Sequence, residues 1–61
     1  MHGTVLSFNM GANEGVIDGT ESGARYKFFH SDWKSEGEPE PGLKVEFDCA
    51  ADRAWDIYVI P

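Results

Sequence analysis

Basic and aromatic side chains crowd into one short stretch of this sequence, GARYKFFHSDW at residues 23–33. Arg25 and Lys27 lie two positions apart, and Phe29 and His30 follow directly. Cationic side chains bind phosphate oxygens and aromatic rings stack on unpaired bases, so the combination is typical of surfaces that hold single strands. The stretch is therefore a candidate contact surface for RNA or DNA.

A purely structural role explains the same residues. Arg25 and Lys27 can pair with acidic neighbours. This interpretation is slightly favoured over phosphate contact because surface ion pairs are common, even though each contributes little stability. Phe29 can equally cover a loop as stack on a base. His30 is more often a surface residue than a ligand, and His2 at the terminus is a poor partner for it, so we expect no metal site.

No signature of catalysis stands in the sequence. It contains no nucleophile elbow, phosphate-binding loop or metal-ligand spacing. The carboxylates are spread along predicted strands and turns, without an apolar pocket that would tune them. We therefore expect a protein that is not an enzyme and that needs no cofactor.

The net charge limits how a phosphate-binding surface could work. The 61 residues include 11 acidic and 5 basic side chains, for a formal net charge of -6. Negative surfaces repel phosphate at long range, whereas nucleic-acid-binding domains usually carry a basic patch. Most of the acids fall in residues 35–42 and 48–56, so a local patch at the third strand stays compatible with the composition.

The cysteine content and the length indicate one small intracellular domain. Cys49 is the only cysteine, which excludes an internal disulfide and is more typical of cytoplasmic than of secreted small domains. No stretch approaches the roughly 18 apolar residues that a membrane span needs. We expect a single cytoplasmic domain over residues 1–61, either a whole protein or the front of a longer chain.

Five stretches have the composition or the alternation of β-strands. In the third, Tyr26 and Phe28 alternate with Arg25, Lys27 and Phe29. Burying Lys27 unpaired would be costly, so Tyr26 and Phe28 should face inward and the other three outward. The predicted strands cover residues 3–9, 14–18, 24–30, 43–49 and 53–60.

These strands predict a small closed all-β barrel, because closure removes exposed sheet edges. An SH3-like barrel has a similar number of strands and stays an alternative at this point. Ser31 or Asp32 can cap one helical turn carrying Trp33, and Trp55 is buried on simple alternation but exposed if a bulge intervenes. The predicted core consists of Phe8, Tyr26, Phe28, Trp33, Val45 and Phe47.

Three segments, GTVLSFN…EGVI, YKFFHSDW and GLKVEF, together span nearly the whole chain. They are similar to the segments G-x-V-K-W-F-N…K-G-F-G-F-I, V-F-V-H-F-S-x-I and G-x-x-V-x-F of cold-shock domains. The resemblance implies a five-stranded antiparallel OB-fold barrel that binds single-stranded nucleic acid across aromatic side chains on strands one to three. The matches in the first segment are Gly3, Val5, Phe8, Asn9, Gly15 and Ile17.

The departures from the family pattern fall on that binding face. Ser7 replaces a tryptophan, Glu14 and Val16 replace two phenylalanines, and Leu6 and Ala12 replace two lysines. The resemblance therefore implies a weakened binding site. Its remaining candidate residues are Phe8, Arg25, Lys27, Phe29 and His30.

Two classes of function follow from these observations. The first is weak binding of single-stranded RNA or DNA through the remaining candidate residues. The second is a protein-interaction or regulatory module on a cold-shock-like scaffold, in which Leu6, Val16 and Phe29 form an apolar contact surface for a protein partner.

Overall fold

The computed structural model describes all of residues 1–61 as an all-β chain with a single short turn of 3-10 helix. The five predicted strands are confirmed, each end lying within one residue of its expected position. The chain contains no helix with the length and apolar character needed to cross a membrane. The elements are β1 (His2–Asn9), β2 (Glu14–Gly19), β3 (Arg25–Phe29), the 3-10 helix (His30–Asp32), β4 (Lys44–Ala50) and β5 (Arg53–Val59).

The strands form a closed barrel in the order β1-β2-β3-β5-β4, with β4 pairing back to β1. This arrangement is consistent with a small OB-fold. The expected five-stranded barrel is confirmed, with one departure from antiparallel pairing: β3 and β5 run parallel where Lys27 lies opposite Arg53. Because β1 and β3 are both antiparallel to β2, they have the same direction. Because β4 is antiparallel to both β1 and β5, β5 also has that direction and runs parallel to β3.

Side chains at alternate positions of the strands fill the interior of the barrel. Val5, Ile17 and Tyr26 form one inward cross-strand row, and the next row toward the end of β3 contains Phe28. Tyr26 and Phe28 are buried while Lys27 between them is exposed, so the predicted orientation of β3 is confirmed. The buried core comprises Val5, Ile17, Tyr26, Phe28, Trp33, Val45, Phe47, Ala54 and Ile57.

The connection after β3 covers the barrel between β3 and β5, which share only one residue pair. Trp33 is 7% exposed, as predicted, and its indole nitrogen donates to the Gly37 carbonyl at 3.1 Å. Its backbone bridges to Ile57 of β5. Asp32 ends the 3-10 helix and its carboxylate accepts the N–H of Phe29 at 2.8 Å, so Asp32 caps this turn from its far end.

Two bulges interrupt the alternation. In β1 the pairing with β2 shifts between Val5 and Ser7, which leaves Leu6 as the extra residue. In β5 the pairing with β4 shifts next to Asp56, whose φ of 50° lies in the left-handed region. The second bulge leaves Trp55 37% exposed, the outcome expected if alternation fails there.

Candidate nucleic-acid interface

The outer surface of β1, β2 and β3, called the β1–β3 face below, consists of three cross-strand rows. Because successive side chains point to opposite sides of a sheet, the outward rows alternate with inward rows. Arg25, Lys27 and Phe29 each occupy one row, so the fold brings these three candidate residues onto one surface. The rows are Thr4–Asp18–Arg25, Ser7–Val16–Lys27 and Asn9–Glu14–Phe29.

Phe29 is half-buried beneath two cations. The Lys27 ammonium lies 5.4 Å from the ring centroid and the Arg53 guanidinium carbon lies 4.6 Å from it. Both distances fall within the range of cation–π attraction. Arg53 also reaches Asp32, with 3.3 Å between Nη2 and Oδ2. The face therefore carries a basic residue from β5 that alternation along β3 alone does not reveal.

Acidic residues lie beside the cations of this face. The Lys27 ammonium is 3.4 Å from the Glu14 carboxylate, and the two side chains are 49% and 38% exposed. Arg25 is exposed and lies opposite Asp18 in its row, outside all four ion pairs of the structure. Exposed ion pairs contribute only about 0–1 kcal/mol, so a phosphate can displace the Glu14 carboxylate from Lys27 at little cost.

Phe8 and His30 form a separate unit at the end of β1 and β3. Phe8 belongs to an inward row and is half-buried, stacked on Phe28 with 5.9 Å between ring centroids. Its other neighbour is the His30 ring, also at 5.9 Å. His30 Nε2 lies 2.9 Å from the Glu38 carboxylate of the acidic loop. Phe8 thus offers a ring edge rather than a free stacking surface, and Glu38 occupies the polar edge of His30.

A shallow groove of about 490 Å³ runs between Phe8 and the β1–β3 face. Its volume falls within the about 300–1,000 Å³ typical of small-molecule sites. Gly15 is required beneath it, since a Cβ there would lie 2.5 Å from the Ser7 carbonyl oxygen and 2.7 Å from the Phe28 ring. The lining comprises Ser7, Phe8, Asn9, Glu14, Gly15, Val16 and Lys27.

The groove offers polar and charged groups that can bind a ligand. It presents a hydroxyl, an amide, one carboxylate and one ammonium around an apolar floor. Such groups can orient a planar, hydrogen-bonding ligand and neutralise one negative charge. The structure contains no cluster of three or more His, Cys, Asp or Glu side chains that could hold a metal ion.

Comparison with known proteins gives no family assignment. No protein-family model matches this chain. A search of curated proteins likewise finds no match.

Proposed function

We propose that the β1–β3 face, together with Arg53, binds single-stranded RNA or DNA weakly. The observation that carries the proposal is the gathering of Arg25, Lys27 and Arg53, three of the five basic residues of the chain, on one face with Phe29. A chain of net charge -6 thereby keeps a local basic surface. The resemblance to cold-shock domains supports the same face, because that family binds single strands on strands one to three.

The contacts divide into stacking and phosphate neutralisation. The planar Arg53 guanidinium over Phe29 offers a surface for an unpaired base, since bases stack on guanidinium planes as well as on aromatic rings. Arg25 and Lys27 stand two residues apart on β3, about 7 Å along the strand, and can follow successive phosphates. The groove beside Phe8 accepts the edge of a second base.

The weakness of the binding has an electrostatic origin. Glu14 must release Lys27 before a phosphate can replace its carboxylate, and the displaced negative charge stays on the same face. Asp32 similarly engages Arg53. Most affinity for single strands comes from phosphate neutralisation and base stacking. Glu14 and Asp32 oppose phosphate neutralisation and therefore weaken binding.

A protein-interaction module is the second candidate function. It is favoured by the pairing of Lys27 with Glu14 and of Arg53 with Asp32, which satisfies two cations without any ligand. Leu6, the bulge residue of β1, is exposed, and Val16 of the β1–β3 face is half-buried. In this case the β1–β3 face would take an apolar partner and show no dependence on phosphate.

The salt dependence of oligo-dT binding tests the proposal with matched charge changes. Each phosphate neutralised on a single strand contributes about 0.7 to the slope of log affinity against log salt. Lys27→Gln is expected to lower that slope by about this amount and to weaken binding. Lys34→Gln removes the same charge from an exposed side chain without an ion pair and should leave the slope unchanged. Equal effects of the two variants would contradict a site at Lys27.

A further inference from the structure

A second exposed surface lies on the outer side of the β4–β5 hairpin, away from the β1–β3 face. Trp55 and Tyr58 are 37% and 53% exposed there. Tyr58 lies opposite Glu46, and Trp55 lies opposite Asp48. We call these four residues the aromatic–acidic face. Each aromatic ring on it thus has a carboxylate as its cross-strand neighbour.

The exposure of Trp55 depends on the β5 bulge. Simple alternation would place Trp55 on the same side as the buried Ile57. The shift in pairing between β4 and β5 and the left-handed backbone of Asp56 turn the indole outward instead. The fold therefore adopts an unfavourable backbone conformation that leaves a large apolar side chain facing solvent beside a carboxylate.

Few cations compensate the acids of this surface. Glu46 pairs only with His2, at 3.5 Å, and Asp48 and Asp56 form no ion pair. The two basic residues of the hairpin are engaged elsewhere: Lys44 donates to the Thr4 hydroxyl, and Arg53 bonds to Asp32. The centre of the face thus combines unpaired negative charge with exposed aromatic rings.

We propose that the aromatic–acidic face binds an extended protein segment with Arg or Lys at alternate positions. A cation beside an aromatic ring and a carboxylate gains cation–π attraction and charge pairing together. Glu46 and Asp48 are two residues apart on β4, about 7 Å along the strand, which matches the spacing of residues i and i+2 in an extended peptide. Charge complementarity selects this occupant, because the chain's net charge of -6 attracts a basic segment and repels an acidic one.

The barrel closure determines how the segment is recognised. In the closed barrel β4 pairs with β5 and β1, and β5 pairs with β4 and, at Arg53, with β3. Recognition therefore runs through side chains, and the affinity is weak to moderate. The four residues of this surface are not among those proposed to bind nucleic acid, and Arg53 of that site lies two positions before Trp55 on β5.

The test uses the whole chain and two synthetic peptides, Gly-Arg-Ser-Arg-Gly-Ser and its counterpart with Glu in place of both Arg. Titration is followed by backbone amide and indole N–H signals in NMR spectra. The basic peptide is expected to give saturable shifts on β4 and β5 and at the Trp55 indole, with little change at the buried Trp33 indole. The acidic peptide should give none.

Variants separate the site from the general negative charge of the protein. Trp55→Thr is expected to weaken binding of the basic peptide about threefold or more, from the loss of one exposed cation–π contact. The double variant Glu46→Gln/Asp48→Asn should weaken it further. Glu36→Gln/Glu40→Gln removes the same charge from exposed loop positions without ion pairs and serves as the control.

Three results would overturn the proposal: equal weakening by the control variant, shifts confined to the β1–β3 face, or saturable shifts of Trp55 and Tyr58 with oligo-dT. The NMR titration of the unaltered protein with the basic peptide tests the proposal even if Trp55→Thr does not fold. The nucleic-acid proposal is read at Arg25, Lys27 and Phe29, so failure of the basic peptide to bind leaves it standing.

Discussion

Glu14 and Lys27 form an ion pair at the centre of the β1–β3 face, with 3.4 Å between Oε2 and Nζ. They occupy neighbouring rows on adjacent strands, and Glu14 lies directly opposite Phe29. The acid thus contacts the one lysine of the face and borders its one outward aromatic ring. Any anionic ligand of Lys27 must compete with Glu14.

The first prediction concerns the removal of this carboxylate. Glu14→Gln frees Lys27 and lowers repulsion, so oligo-dT binding at low salt should strengthen several-fold. Glu14→Phe adds a stacking surface worth about 1–3 kcal/mol per base, and affinity should rise by roughly tenfold or more. Glu36→Gln is the matched control, because this exposed acid forms no ion pair. A folded Glu14→Phe protein without any gain would favour the protein-interaction function.

The second prediction concerns the seal at Trp33. Trp33→Ala should lower the free energy of unfolding by about 3–5 kcal/mol, since it empties a buried site in a core of nine residues. The free energy of unfolding of a domain of this size is only about 3–9 kcal/mol in total. Urea titrations should therefore find the variant largely unfolded at the outset. Trp33→Phe keeps most of the packing and loses the bond to Gly37, at a cost of about 1 kcal/mol.

The same substitution at the other tryptophan is the control for this measurement. Trp55 is 37% exposed, so Trp55→Ala should cost clearly less than Trp33→Ala. A loss below about 1 kcal/mol at Trp33 would show that the connection after β3 does not close the barrel.

The third prediction concerns the turn between β4 and β5. Ala51 has a φ of 53°, which costs a residue with a Cβ about 1–2 kcal/mol, whereas glycine adopts it freely. Ala51→Gly should therefore raise the free energy of unfolding. The net gain should be about 0.5–1 kcal/mol, because glycine loses more conformational entropy on folding than alanine and this offsets part of the relieved strain. Ala50→Gly, one residue earlier in β4, should have the opposite sign. Thermal unfolding of both variants measures the difference, and destabilisation by both would refute the strained turn.

The barrel and its core are largely predictable from local pattern. Alternation in RYKFF places Tyr26 and Phe28 inside and Lys27 outside without knowledge of any partner strand. The strand boundaries follow from Gly, Asn, Asp and Pro residues that restrict the backbone between the apolar runs. These signals act over two to four residues, so they survive in a single sequence.

Features that depend on distant pairing were not predictable. The parallel contact of Lys27 with Arg53 arises only when the barrel closes, so no local pattern places Arg53 over Phe29. The ion pair of Glu14 with Lys27 similarly needs the β2–β3 register. Alternation also cannot predict which side of the sheet Trp55 faces. The bulge at Asp56 reverses that side, and the bulge depends on how β5 registers with β4.

The most direct test of the central claim is a titration of the unaltered protein with oligo-dT and oligo-U at low and moderate salt, read from backbone amide shifts. Binding of single strands on the β1–β3 face predicts saturable shifts at Arg25, Lys27, Phe29 and Arg53 that weaken as salt rises. Tryptophan emission is a poor substitute, since Trp33 is buried and Trp55 lies on the other face. Absence of shifts at millimolar oligonucleotide, or shifts confined to β4 and β5 away from Arg53, would contradict binding at this face.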